Sequence, residues 1–183
     1  NVSTQNPFEK DSTLWRLMRL IPTFLQQKEF EPLKKYLASS PVSEQQKLYQ
    51  LSLKVADLFD QYRVYRPEWI AAWEENNDEK ILAQINQQKQ GLSALNPTFL
   101  SQIKGNIHGQ GILWRALVDD VQRDFSGKAK HRAALNQQFV ELCRDPNATL
   151  NLPERIFIFG IPALPTVYLN IFQGISAKTD VHL

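Results

Sequence analysis

The chain has 183 residues, of which 43% are hydrophobic and 22% charged, and its formal net charge is +2. These values are typical of a globular domain with a real core and exclude a disordered chain. So small a charge gives no global argument for nucleic-acid binding, which must be sought in local clusters. A single cysteine, Cys143, excludes an internal disulfide and suits a reducing compartment. No apolar run approaches the length of a membrane span, so we expect no membrane partner.

The N-terminal part of the chain predicts a polar segment followed by an amphipathic helix. Residues 1–10 are mostly polar, and we expect them to be a frayed lead-in. Asp11 or Ser12 can cap the helix, because short polar side chains bind the free amides of a first turn. Pro22 should kink or restart this helix.

A long helix is predicted next. Ser43 and Gln46 match a capping box, which marks a helix start. Pro67 should stop the helix at Arg66, because proline disfavours helical geometry in the preceding residue. The apolar side chains recur every three or four residues and predict a core-facing stripe: Leu48, Leu51, Val55, Leu58 and Tyr62.

The middle of the chain has a different composition. Residues 76–111 are rich in glutamine and asparagine and contain four glycines. We expect a variable insertion that is mostly loop, with one helical piece near its start. Helices are predicted again at residues 112–125 and 130–144, the second with an apolar face formed by Leu135, Phe139 and Leu142.

The C-terminal residues change to a strand pattern. Residues 155–160 form an apolar run that predicts a strand buried on both faces. A helix follows, and residues 181–183 would open a second, parallel strand, giving a βαβ unit. Because two parallel strands do not normally stand alone, we expect further strands before or after this chain, as part of a longer protein. The predicted fold is mainly α, with a helical subdomain at 1–154 and the start of a parallel α/β layer at 155–183.

The sequence contains no motif that predicts catalysis. Lys128 follows a glycine but precedes Ala129, where a phosphate-binding loop requires serine or threonine. Asp119 and Asp120 lie at helical spacing from apolar residues and should be exposed surface acids. Cys143 should be a half-buried thiol, and it and the histidines match no zinc pattern: His108, His131 and His182. We therefore expect no metal and no enzymatic activity in this segment.

Two local groups of charged residues remain as candidate sites. Asp57 and Asp60 are neighbours on one helix face, and Arg66 stands at the predicted helix end. They form either a solvated helix surface or a site that can hold a base or an amide. The second group is basic, and it is either a solvated surface or a contact for phosphates: Arg123, Lys128, Lys130, His131 and Arg132. Trp69 and Trp73 either pack in the core or stack on bases.

The segment DLFDQYRVYRPEW, at residues 57–69, resembles the N-terminal part of the RecC family, the non-motor gamma chain of exodeoxyribonuclease V. The strings LWRLMRL and RIFIFGIPALPTVYL fit the same family in the same order, and the resemblance covers most of the chain after Leu14. It implies a bacterial, cytoplasmic, helicase-like segment of a DNA-repair enzyme. It also implies that this segment needs no cofactor, since partner subunits handle ATP and magnesium.

The resemblance further implies which residues contact DNA. In the RecC family, residues of this kind line the channel of the 3′-ended single strand and read the Chi sequence. Those that match the family's recognition set are Asp57, Leu58, Asp60, Arg66 and Arg132. Lys128 and Lys130 would contact phosphates. The implied partners are the 3′-ended DNA strand and RecB-like and RecD-like subunits. The alternative is a structural scaffold that docks the RecB motor subunit without reading DNA.

Overall fold

The structure is a computed structural model that describes residues 6–39, 43–88, 97–127, 129–161 and 163–182. Within them the chain is mainly helical, and a small parallel sheet lies near the C-terminal end. The elements are α1 (Lys10–Phe24), a 3₁₀ turn (Lys28–Phe30), α2 (Glu31–Ala38), α3 (Glu44–Tyr65), α4 (Pro67–Glu74), α5 (Asp78–Gln88), α6 (Pro97–Asp124), α7 (Arg132–Arg144), β1 (Arg155–Phe157), α8 (Thr166–Ile175) and β2 (Asp180–His182).

Helices α1, α3, α4 and α6 pack around one hydrophobic core. At its centre, the rings of Phe59 and Trp114 meet edge to face with centroids 5.2 Å apart. Phe59 also meets Trp73 edge to face, and Tyr62 packs on the other side of Trp73 at 5.6 Å. Aromatic pairs in this geometry add stability beyond the apolar area that they bury. Trp73 and Trp114 are both fully buried, which confirms the packing role predicted for Trp73.

Helix α6 is much longer than predicted. It begins at Pro97, so the expectation that most of residues 76–111 form a loop is wrong outside 89–96, which the structure does not describe. Of the glycines that suggested a loop, Gly105, Gly109 and Gly111 lie within the helix, and Gly91 lies outside the described residues. A Cβ atom at Gly111 would stand 2.6 Å from Cδ1 of Trp73, so glycine allows α6 to approach α4 closely. The sequence pattern does not distinguish a glycine that allows close helix packing from a glycine that lies in a loop.

Helix α1 differs from the prediction at both ends. It begins at Lys10, so neither Asp11 nor Ser12 caps it, and the residue before it makes no capping hydrogen bond through its side chain. The helix continues through Pro22 and ends at Phe24. The proline therefore coincides with the last turn and does not restart the helix.

The segment before α1 is part of the core. Phe8 is 1% exposed, and its backbone N–H donates to Oδ1 of Asn6 at 3.0 Å. Its ring packs against Trp114 and meets the ring of His131 edge to face. The prediction of a frayed lead-in is therefore wrong for the described residues from 6 onward. A lone phenylalanine among polar neighbours gave no periodic signal, because the residues that bury it belong to distant helices.

Both ends of α3 are where the sequence placed them. The Oγ atom of Ser43 accepts a hydrogen bond from the backbone N–H of Gln46 at 3.2 Å, which confirms the predicted cap. The helix ends at Tyr65, and Arg66 has the extended φ of −140° that precedes Pro67.

The deepest face of α3 is rotated from the predicted stripe. The stripe that the sequence predicted is only partly buried, and the fully buried residues stand next to it: Lys47, Ser52, Ala56, Phe59 and Arg63. Two of these are charged, so hydrophobic periodicity did not reveal them. Lys47 is accommodated because its Nζ donates to the carbonyl oxygens of Tyr36 and Leu37, which end α2.

A buried carboxylate joins α1 to α6. Asp120 is 4% exposed, so the expectation of a surface acid holds for the exposed Asp119 but is wrong for Asp120. Its oxygens bind Arg16 at 2.5 Å, Arg19 at 2.7 Å and Arg123 at 3.2 Å. Burial opposes the charge on Arg16, but its hydrogen bonds to Asp120 and Asp124 prevail, so the pKa of Arg16 is raised.

Helices α7 and α8 pack closely through small residues. A Cβ atom at Gly174 of α8 would lie 3.4 Å from Cγ1 of Val140 and 3.6 Å from Cβ of Cys143. Cys143 is therefore fully buried, where the sequence predicted a half-buried thiol. The predicted apolar face is also wrong in part, since Leu135 and Leu142 are exposed.

The C-terminal βαβ unit forms as predicted, with β1 and β2 parallel and Ile156 opposite Val181. Strand β1 ends at Phe157 and is therefore shorter than the apolar run of residues 155–160. This run is not buried on both faces, because Phe157 is 56% and Phe159 83% exposed. Their rings stack with centroids 6.1 Å apart, and Phe157 also stacks on His182. Helix α8 packs on α7 and does not cover these rings. The larger helicase-like sheet therefore remains an expectation.

The close approach at Gly111 predicts opposite effects of alanine at two glycines of α6. Gly105→Ala should stabilise the chain by about 0.5–1 kcal/mol, because nothing stands within 4 Å of the new methyl group. Gly111→Ala should destabilise it by about 1–3 kcal/mol, because the methyl group would overlap the ring of Trp73. Urea unfolding followed by circular dichroism measures both. Stabilisation by both variants would contradict this account of the helix contact.

The two adjacent aspartates of α6 provide a matched test of the arginine cluster. Asp120→Asn should destabilise the chain by about 1.5–3 kcal/mol, because it removes the charge that three arginines share. Asp119→Asn should change stability by less than about 0.5 kcal/mol, since that side chain is exposed. Equal unfolding midpoints for the two variants would show that the buried carboxylate of Asp120 contributes no more to stability than the exposed carboxylate of Asp119.

Candidate nucleic-acid interface

The C-terminal half of α3 carries the first predicted site residues along its border with α1. The Nζ atom of Lys10, the first residue of α1, lies 2.5 Å from Oδ1 of Asp57. The hydrogen bond to Asp57 raises the pKa of Lys10, and the charge of Asp60 adds to this effect. Asp57 is 44% and Asp60 53% exposed, so both carboxylates remain accessible to a ligand.

A buried arginine fixes the position of Asp60. Arg63 lies one turn further along α3 and is 4% exposed. Its Nη2 atom donates to Oδ1 of Asp60 at 2.6 Å, and its Nη1 atom donates to the carbonyl oxygen of Phe8 at 2.7 Å. Burial lowers the pKa of Arg63; Asp60 opposes this shift, and the nearby charge of Arg132 adds to it. Within the described chain, Oδ2 of Asp60 makes no hydrogen bond and remains an open acceptor.

The start of α7 places Arg132 close enough to Arg63 for its charge to lower the pKa of Arg63. Arg132 is exposed and is the first residue of the helix. Its predecessor His131 is buried between the rings of Phe8 and Trp114 and caps the helix, with Nδ1 accepting from the N–H of Ala134. Nε2 of His131 lies 2.7 Å from Oε1 of Glu74. Because Nδ1 accepts, Nε2 carries the proton in the neutral ring and donates to the carboxylate.

The structure therefore pairs Asp57 with Lys10 and Asp60 with Arg63, and Arg132 is linked to them through its charge effect on Arg63. The three cations and two carboxylates leave a formal charge of +1. The sequence did not predict the roles of Lys10 and Arg63, the two cations that pair with Asp57 and Asp60. Lys10 stood in a segment predicted to fray, and Arg63 stood beside the apolar stripe with nothing to indicate burial. The one available signal was the spacing of Asp60 and Arg63, three residues apart on a helix.

The other two predicted residues lie elsewhere on α3 and its end. Leu58 is partly buried and stands about 100° around the helix from Asp57. Arg66 is 45% exposed, its guanidinium lies 5.8 Å from the ring centroid of Trp69, and it reaches Glu68 at 4.0 Å. No contact between described residues joins Arg66 to Asp57 or Arg132. The predicted site residues are thus not all joined in one cluster by contacts between described residues.

Only one of the two lysines predicted to contact phosphates lies among the described residues. Lys130 is exposed in the turn before α7 and lies two residues from Arg132. Lys128 lies outside the described residues. Nothing in this part of the chain tests whether either lysine binds phosphate.

Two further properties of the described residues bear on function. Histidine, cysteine, aspartate and glutamate side chains do not cluster in threes that could hold a metal ion. In the same residues, every helix is too short or too polar to cross a membrane. The arrangement offers hydrogen-bond acceptors and donors at an exposed surface, which can bind a polar ligand.

Comparison with known proteins identifies the family. The family "RecC, N-terminal domain" matches residues 1–183. The RecBCD enzyme subunit RecC of Haemophilus influenzae is 62% identical over 179 residues, which cover 98% of this chain and 16% of the relative. The RecBCD enzyme subunit RecC of Escherichia coli K12 is 36% identical over 184 residues, which cover 100% of this chain and 14% of the relative.

The chain thus spans about one seventh of the length of the curated relatives that it matches. The match nevertheless runs over the whole chain, including the segments that carry the charged residues described above. This confirms the resemblance inferred from the sequence strings. The chain belongs to the RecC family and corresponds to the N-terminal domain of that family.

Proposed function

We propose that this chain is a non-catalytic part of the RecC subunit of the RecBCD enzyme, exodeoxyribonuclease V, which acts in double-strand break repair by homologous recombination. Membership of the RecC family and the names of the relatives support this proposal. The partners are then RecB-like and RecD-like subunits and DNA, in the bacterial cytoplasm. ATP and magnesium are handled by the partner subunits, and the chain itself needs no cofactor.

The specific role that we infer is contact with the exiting 3′-ended single strand and reading of its Chi sequence. The observation that carries this inference is that the buried Arg63 holds the exposed Asp60, which lies one helical turn from the Lys10–Asp57 pair. Hydrogen bonds at two ends hold the guanidinium of Arg63, so it keeps one oxygen of Asp60 fixed. The other oxygen then faces a ligand from a defined position. Fixed acceptors of this kind suit the recognition of particular base edges.

The chemistry of these groups matches bases better than phosphates. Carboxylates accept hydrogen bonds from exocyclic amino groups such as that of cytosine, and arginine donates two parallel bonds to guanine. Carboxylates near a polyanion reduce affinity, so Asp57 and Asp60 contribute to specificity and not to binding strength. Lys10 and Arg63 offset part of this repulsion, because they neutralise the carboxylates locally.

Leu58 and Arg66 can contribute from elsewhere on α3 and its end. Arg66 stands at the helix end, where Trp69 supports its guanidinium from one face. A single strand that crosses the C-terminal end of α3 would pass Arg66 as well as the two acidic residues. Lys130 would then contact a phosphate beside Arg132. Arg66 would meet the strand separately, because no contact between described residues joins it to Asp57 or Arg132.

A scaffold role is the alternative function, and one feature favours it. An open groove of about 430 Å³ lies between α4, α7 and α8. Three carboxylates line it together with apolar side chains and two basic residues: Glu68, Glu74, Glu141, His131 and Arg144. Such a groove suits basic and apolar side chains of a protein partner such as the RecB subunit. This reading requires no DNA contact by Asp60 or Arg132.

Substitution of the grouped residues in the complete RecBCD complex tests the reading role. Asp60→Asn keeps an oxygen for Arg63 but replaces the open acceptor by a donor, and Arg132→Ala removes the guanidinium. We expect normal unwinding but a Chi response weakened about 5- to 150-fold, as expected for one base contact. Degradation of end-labelled duplex DNA with and without Chi measures both properties.

Arg155→Ala is the matched control, because Arg155 of β1 is 67% exposed and lines neither the candidate site nor the groove between α4, α7 and α8. This variant should leave the Chi-dependent cut pattern unchanged. If Asp60→Asn and Arg132→Ala also leave it unchanged, the surface does not read Chi and the scaffold role is favoured.

A further inference from the structure

Two aromatic rings are exposed side by side on neighbouring helices. Trp15 of α1 is 62% exposed and Tyr49 of α3 is 41% exposed. Their ring centroids lie 6.3 Å apart with an interplanar angle of 55°. The tryptophans that form the core, Trp73 and Trp114, are fully buried. The exposed pair therefore does not belong to the core and leaves ring faces open to a ligand.

Arginines surround this aromatic pair on the α6 side. Arg19 follows Trp15 by one helical turn, and Arg16 and Arg19 line a shallow groove of about 310 Å³ together with Trp15, Ser12 and Asp124. Arg19 is 65% exposed although it also binds Asp120. Arg123, which shares Asp120, is 72% exposed. The three arginines against Asp120 and Asp124 leave a formal charge of +1 and free N–H donors at the surface.

The aromatic pair lies along the same border between α1 and α3 as the first residues of the candidate interface. Lys10 and Asp57 pair across the same border between α1 and α3. Trp15 follows Lys10 by five residues, about 7.5 Å along α1, and Tyr49 precedes Asp57 by eight residues, about 12 Å along α3. At about 3.4 Å for each stacked base, this separation corresponds to roughly two to four nucleotides. One strand can therefore reach both places.

We propose that Trp15 and Tyr49 form a base-stacking subsite for the same single-stranded DNA, with Arg19 and Arg123 as phosphate contacts. The proposal rests on the function proposed above and adds a second kind of contact to it. Every base has a π-face, so a stacking subsite holds DNA of any sequence. The subsite would thus retain the strand, while Asp57, Asp60 and Arg132 distinguish one sequence from another.

A protein occupant is the main rival, because exposed tryptophan, tyrosine and arginine also anchor protein interfaces. Two observations favour DNA. The groove has an excess of cationic side chains, which complements a phosphate backbone. The rings also lie along the same border between α1 and α3 as Lys10 and Asp57 of the candidate site. The experiment below separates the two occupants.

Photocrosslinking in the complete RecBCD complex tests the subsite directly. The probe is a Chi-free, 3′-tailed duplex with 5-iodouracil at successive positions of the single-stranded tail, and crosslinked peptides are identified by mass spectrometry. We expect a crosslink to Trp15 or Tyr49. Trp15→Ala should abolish the crosslink at residue 15 and weaken binding of the Chi-free tail about 5- to 150-fold. Trp15→Phe should retain most of the affinity, because phenylalanine also stacks.

Tyr36→Ala is the matched control, since Tyr36 is an exposed aromatic residue on α2 with 43% exposure and should have no effect. Failure of the subsite and failure of Chi reading give different results. Trp15→Ala should weaken Chi-containing and Chi-free strands equally, whereas Asp60→Asn should change only the response to Chi. If the aromatic pair binds DNA but the charged residues do not read Chi, the crosslink to the aromatic pair should still form.

Two outcomes would overturn the proposal. The first is that the tail crosslinks to other residues and that the Trp15→Phe and Trp15→Ala variants bind it as tightly as the unchanged complex does. The second is loss of subunit assembly in the Trp15→Ala variant, measured by size-exclusion chromatography, together with no crosslink at this surface. That result would identify the aromatic pair as a protein-docking surface.

Discussion

The buried guanidinium of Arg63 connects the core of this domain to its candidate DNA-binding surface. It donates to the backbone of Phe8 and to the side chain of Asp60, so it links the segment before α1 to the exposed face of α3. A buried cation is costly unless hydrogen bonds and an opposite charge compensate for lost hydration. Here a carbonyl oxygen and a half-exposed carboxylate supply part of that compensation, while Nε of Arg63 is buried without a partner among the described residues. The arrangement keeps Asp60 in one position while leaving it accessible.

The surroundings of Arg63 depend in turn on how the helices pack. Phe8 is buried because Trp114 of α6 and His131 before α7 close over it. Helix α6 can take its place because glycine at position 111 leaves room for Trp73. The same histidine caps α7 and so sets where Arg132 begins that helix. Core packing and the geometry of the charged surface are therefore parts of one structure.

Two candidate sites of different chemical character lie along the border of α1 and α3. At one end, carboxylates alternate with cations, which favours selectivity over affinity because acidic groups repel phosphates. At the other end, exposed rings stand beside arginines, which favours affinity without selectivity. The net charge of the chain is only +2, so the contact with DNA proposed above would depend on this local arrangement and not on overall charge.

The helical class, the cap and end of α3, the parallel βαβ unit and the RecC family could all be predicted from the amino-acid sequence. These features follow from capping, proline geometry, periodicity and long specific strings. The burial of Phe8, Arg63 and Asp120 and the start of α6 at Pro97 became clear only from the packed structure. Burial of a lone phenylalanine or a charged side chain depends on partners that stand far away in sequence. A glycine in a helix and a glycine in a loop look alike until the neighbouring ring is known.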